Sequence, residues 1–145
     1  MTEASKADRL MQGVIPYLAI DGADAAITFY KQAFGAIQHG DSVRGENGKI
    51  LNAGLEINGG MIMLSDHFPE HGHTPAKGGQ GIGMQIVTLD GQAFWDRAVA
   101  AGCTVRMPFE VAFWGDKFGE MSDPFGIFWA VNEPSAANRV KATTT

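Results

Sequence analysis

A single cysteine, Cys103, rules out an internal disulfide and makes a reducing, cytoplasmic setting the expectation. Basic residues are also scarce, with eleven Lys and Arg against sixteen Asp and Glu and a formal net charge of −5. Nucleic acid and anionic membrane surfaces both select clustered Lys and Arg, so neither is an expected partner. No stretch reaches the roughly 18 consecutive apolar residues of a membrane-spanning helix. Residues 2–12 are polar and lack the apolar stretch of a secretory signal. What is present is an ordinary globular composition, 45% hydrophobic and 19% charged over 145 residues. That length suits one domain, or two small halves sharing a core.

The chain is written twice. Residues 14–20 read as a strand ending at Asp21-Gly22, and residues 23–34 carry Ala23, Ile27, Tyr30 and Phe34 on one helical face before Gly35. Downstream, residues 82–89 read as a strand ending at Asp90-Gly91. A helix with Phe94, Ala98 and Ala101 on one face then closes at Gly102. The Asp-Gly pairs lie 69 residues apart and the closing glycines 67 apart, as a diverged duplication requires. Strand-rich sequence follows each helix. Residues 50–57 and 61–65 are joined through Asn58-Gly59-Gly60, a hairpin signal. Residues 111–115, 118–122 and 127–131 form the second set, with a turn at Asp116-Lys117. Neither half easily covers both faces of its own sheet, so pairing of the halves is expected.

Strand parity divides core from cleft. Leu51, Ala53, Leu55, Ile57, Ile62 and Leu64 are assigned to the core of the first half. Asn52, Glu56, Met61, Met63 and Ser65 are left on the opposite face. In the last strand Ile127, Trp129 and Val131 read as core, with Phe128, Ala130 and Asn132 opposite. A face mixing Met, Phe, Glu, Gln and Ser suits a small-molecule pocket, or a solvated or subunit-facing surface. Phe113 and Trp114 could stack a planar ligand at its mouth or brace their hairpin as core. Glu56 could serve as a general base or simply be solvated, and Gln85 could orient a ligand from the second half. His67, His71 and His73 could bind a transition metal or be solvated residues of a connecting loop, and His39 receives no role. Asp123, ahead of Pro124, is expected to anchor its turn through backbone amides. Cys103 reads as a small buried residue and not a nucleophile.

Five motifs in order, Ile15-Pro16-Tyr17-Leu18, Phe29-Tyr30 before Phe34-Gly35-Ala36, Met63-Leu64-Ser65-Asp66, Phe113-Trp114-Gly115 and Asp123-Pro124-Phe125-Gly126 with Trp129, resemble PhnB-like proteins. These belong to the vicinal oxygen chelate superfamily, with glyoxalase I, bleomycin resistance proteins and extradiol dioxygenases. The resemblance covers residues 14–133 and implies an α+β fold of two βαβββ modules forming a curved mixed sheet around a cavity, assembled as a homodimer. On that plan residues 1–13 and 134–145 are tails, 14–66 and 82–133 the modules, and 67–81 a linker. Relatives are sometimes labelled ubiquinone-pathway methyltransferases. Such an enzyme needs a glycine-rich strand-to-helix turn and a largely parallel sheet, and the doubled plan offers neither.

Superfamily enzymes hold a divalent metal on His or Glu of the first and fourth strands of each module. The matching positions are Ile15, Met63, Gly83 and Ala130, which supply no usable ligand, and their neighbours are no better. Relatives that carry a His at the position of Asn52 and another straight after Gly126 also differ, since Ile127 stands there. No metal and no cofactor are therefore expected. The expected ligand-binding set is Tyr17, Asn52, Glu56, Met63, Ser65, Gln85, Phe113, Trp114 and Phe128. The function expected is binding, and sequestration, of an apolar or aromatic small molecule. The alternatives are a glyoxalase-like lyase or dioxygenase-type enzyme using Glu56 or unconventional metal ligands, and a dimeric scaffold whose cavity its own side chains fill.

Overall fold

A computed structural model of the chain describes residues 4–75 and 81–139. The remainder of the expected tails and linker, at 1–3, 76–80 and 140–145, lies outside the described residues. The chain divides into two compact units, residues 1–77 and 78–145. The first runs α1 (Lys6–Leu10), β1 (Tyr17–Ile20), α2 (Ala23–Phe34), β2 (Ile37–Arg44), β3 (Ile50–Ile57) and β4 (Gly60–Asp66). The second runs β5 (Met84–Val87), α3 (Gly91–Ala101), β6 (Thr104–Val111), β7 (Lys117–Ser122) and β8 (Phe128–Glu133). The sheet orders are β1-β4-β3-β2 and β5-β8-β7-β6. In each, the first and last strands pair in parallel and the other neighbours are antiparallel. Two βαβββ modules with mixed sheets make this an α+β fold and exclude the parallel sheet of an α/β methyltransferase.

Helix α2 follows from its apolar stripe. Ala23, Ala26, Ile27, Tyr30, Ala33 and Phe34 are buried, and the Tyr30 and Phe34 rings stack with centroids 5.6 Å apart. Gly22 has no side chain to cap the first turn, so Asp66 at the end of β4 does so, its Oδ1 accepting from the Ala23 amide at 2.9 Å. Gly35 ends the helix at φ 65°. The second unit repeats the device, with Glu133 Oε1 at the end of β8 accepting from the Gly91 amide at 2.9 Å. These two carboxylates stand 67 residues apart, the spacing of the closing glycines.

The buried face of α3 is Gly91, Trp95 and Ala98, which corrects the expected set of Phe94, Ala98 and Ala101. The reason lies across the sheet at Gly119. A Cβ there would stand 2.8 Å from the Trp95 ring and 2.8 Å from the Phe109 backbone, so a missing side chain makes room for the indole. Trp95 then stacks on Phe109 at 5.5 Å.

Core parity holds at Ala53, Leu55, Ile57, Ile62, Leu64, Ile127, Trp129 and Val131, all buried. Leu51 departs from it. Val43 pairs with Asn52 and Arg44 with Ile50, so Leu51 is the unpaired residue of a bulge. It is 44% exposed, and Ile50 is buried in its stead. The outer strands β2 and β6 are both irregular, at Gly40 (φ 74°) and around Pro108. Proline cannot donate to a ladder and fits such an edge position. Asn58 (φ 50°) and Gly59 (φ 79°) form the two-residue hairpin turn between β3 and β4.

The polar segments read as loose tails carry structure. Ser5 and Asp8 form a reciprocal capping box at the start of α1, with bonds of 3.0 and 3.1 Å. The turn Ala136–Asn138 is tied back by Asp116.

Candidate functional site

In the first unit, strand register lines up Tyr17 with Met63 on the face turned away from α2. His39, Gly54 and Met63 follow across β2, β3 and β4, and Ile37, Glu56 and Met61 form the next row. Glu56 is 8% exposed and ionic. Its Oε1 lies 2.8 Å from His39 Nε2 and 3.2 Å from Lys6 Nζ. The hydrogen bond from His39 first, then that from Lys6, holds the Glu56 carboxyl below the ordinary glutamate range. A carboxylate so held is a weakened proton acceptor. His39, given no role by sequence, and Lys6, placed in a tail, are thus the partners that define Glu56. The signal available was alternation: Ile37 and His39 share the parity that faces Glu56.

The other polar candidates of this face are largely engaged. The Tyr17 hydroxyl donates to the Leu51 carbonyl at 2.6 Å, and Ser65 Oγ donates to the Asp66 carbonyl at 2.8 Å. Asn52 Oδ1 is buried without a partner among the described residues. Met63 is half-buried.

In the second unit, the face turned away from α3 holds a pocket of about 480 Å³. Residues 81–85 form one wall, with Arg106 from β6, Phe118 and Glu120 from β7, and Phe128, Trp129 and Ala130 from β8. Its volume falls within the range of small-molecule sites. The Arg106 guanidinium lies over the Phe128 ring, 3.6 Å from its centroid. Arg106 Nη1 is 3.6 Å from Glu120 Oε2, an ion pair too long for a hydrogen bond.

Of the nine candidates, Gln85 and Phe128 line this pocket, and Tyr17, Asn52, Glu56, Met63 and Ser65 belong to the first unit's strands. Phe113 and Trp114 do neither. They form the β6–β7 turn, closed by Gly115 at φ 101°, and their rings meet edge-to-face at 4.9 Å. Phe113 is 98% exposed, so it is not core, while Trp114 packs against the pocket residue Phe118 at 5.3 Å. Arg106 escaped the sequence reading because strand β6 is broken by Pro108 and its parity cannot be followed, and Phe118 and Glu120 escaped it because β7, though read as a strand, was not divided into faces.

Asp123 anchors its turn as expected, accepting from the amides of Phe125 (2.8 Å) and Ile127 (3.0 Å) and from Trp129 Nε1 (2.9 Å). Burial, with the nearby charge of Asp123, pushes the Cys103 thiol up to about 12, far from a thiolate at neutral pH. His67 Nε2 lies 3.5 Å from Asp21. Its Nδ1 is buried and unpaired among the described residues.

A superfamily metal would need converging His, Asp, Glu or Cys side chains. Among the described residues no group of three such side chains converges, and the paired first and fourth strands present Tyr17 beside Met63 and Gln85 beside Ala130. Among the described residues no helix is long and apolar enough to cross a membrane.

Comparison with known proteins gives these features a setting. The model of the Glyoxalase/Bleomycin resistance protein/Dioxygenase superfamily matches residues 8–131. The Mycobacterium tuberculosis protein Rv0887c is 39% identical over 124 residues, covering 82% of this chain and 72% of its own. The crystal structure of PA1353 from Pseudomonas aeruginosa is 30% identical and superposes with a TM-score of 0.65, covering 83% of this chain and 96% of that one. A PhnB protein from Bacillus cereus, also named as a 3-demethylubiquinone-9 3-methyltransferase, is 19% identical with a TM-score of 0.66 over 83% of this chain and 98% of that one.

Proposed function

This chain belongs to the Glyoxalase/Bleomycin resistance protein/Dioxygenase superfamily, and we propose that within it the protein binds a small apolar or aromatic compound without a metal ion. The observation that carries this reading is the 480 Å³ pocket of the second unit, walled by the rings of Phe118 and Phe128 with Gln85 as a polar contact. Aromatic faces supply apolar area and a preferred geometry for a planar guest, and a few polar groups fix its orientation. The donor set argues for binding without metal, since among the described residues no three His, Cys, Asp or Glu side chains converge on one point.

A lyase or dioxygenase-type reaction using Glu56 has less support. The His39 and Lys6 bonds that lower the Glu56 pKa favour its ionised form and make it a poor base. A homodimeric state in the cytoplasm belongs to the same proposal. Isothermal titration with the neutral aromatic 2-naphthamide tests the reading. Saturable binding at one site per chain, weakened about tenfold or more by Phe128→Ala, is expected. Absence of saturable binding, or no effect of Phe128→Ala, would remove it.

A further inference from the structure

We propose that the ligand of the second unit's pocket carries an anionic group, of carboxylate type, read by the guanidinium of Arg106. The inference rests on the binding reading above and adds the chemistry of the guest. Its basis is the state of Arg106 within the pocket. The guanidinium carbon lies over the Phe128 ring, 3.6 Å from its centroid, so the ring holds the cation at the pocket. Yet it makes no hydrogen bond among the described residues. Its nearest carboxylate oxygen, on Glu120, stands 3.6 Å away, beyond hydrogen-bond reach.

Arg44 shows the contrast. Its guanidinium is saturated by Asp24 in a two-pronged pair, with both bonds at 2.8 Å. Arg106 has the same fork, placed over an aromatic ring and left without that partner. A planar cation clamped on an aromatic ring with open N–H donors is the arrangement that takes a carboxylate through two parallel bonds. The ring that holds Arg106 also lines the pocket, so the charged end and the aromatic body of one guest can be satisfied together. Glu120 supplies the opposing term. It sits in the same wall and repels an incoming anion, and it orients the guanidinium without consuming its donors.

The pair 2-naphthoate and 2-naphthamide separates charge from shape, because both present the same fused rings. Titration calorimetry at neutral pH and low salt should show naphthoate binding about tenfold more tightly than the amide. Arg106→Lys keeps the charge but removes the planar fork, and should weaken naphthoate several-fold relative to the amide. Glu120→Gln should tighten naphthoate several-fold relative to the amide. Equal binding of the two ligands to the wild-type protein overturns the anionic inference and leaves the aromatic pocket standing. Naphthoate binding unaffected by Arg106→Lys also overturns it. Failure of both ligands to bind overturns the pocket reading and this inference together.

Discussion

Asp116 is a buried carboxylate, 7% exposed, that ties the end of the chain to the β6–β7 turn. It accepts from Asn132 Nδ2 (2.9 Å), the Ser135 amide (2.8 Å) and Asn138 Nδ2 (2.9 Å), and Asn138 also donates to the Trp114 carbonyl at 2.7 Å. These bonds, led by Asn132, hold its carboxyl down to about 2. A folded-state pKa below the unfolded one means that stability is gained above the unfolded value and lost as pH falls through the folded one. Thermal melting should therefore show Asp116→Asn clearly below wild type above pH 5. The gap should narrow between about pH 4 and pH 2. A gap independent of pH would contradict the assigned bonds. Glu56 allows a matching test by carbon-detected NMR titration: in His39→Ala its carboxyl should titrate at higher pH than in wild type, since the leading bond is gone. Sequence revealed Asp123, because an Asp-Pro-x-Gly turn announces where its side chain goes. It did not reveal Asp116 or His39, whose partners come from other strands and from the ends of the chain.

Elements differ in how plainly the sequence declares them. Helix α2 could be read in full because its apolar spacing, its capping glycine and its burial agree. Helix α3 was displaced by one position, because Phe94 and Trp95 are adjacent aromatics and the choice between them is made by Gly119 on another strand. That choice can be tested directly. Gly119→Ala drives a Cβ to within 2.8 Å of both the Phe109 backbone and the Trp95 ring, and should cost about 1–3 kcal/mol in denaturant unfolding. Gly83→Ala is the control, since a Cβ there meets nothing within 4 Å, and should leave the unfolding midpoint nearly unchanged. The outer strands β2 and β6 were the least legible elements. Irregularities at Gly40 and Pro108 interrupt the two-residue period that a strand reading depends on, and Arg106 lies on one of them.

For the whole molecule, the duplicated plan was the most legible property, since repeat spacing survives where individual side chains have changed. The chemistry was less legible because it rests on a few side chains that meet only across strands, as His39 and Lys6 meet Glu56. The proposed homodimer should give twice the 15.5 kDa chain mass by light scattering, and a mass of one chain would count against it. The most direct test of metal-independent binding is calorimetric titration of 2-naphthoate into protein dialysed exhaustively against EDTA, with metal content measured before and after. The account expects no stoichiometric metal and an unchanged affinity at one ligand per chain. Binding that disappears on chelation and returns with an added divalent ion would contradict it.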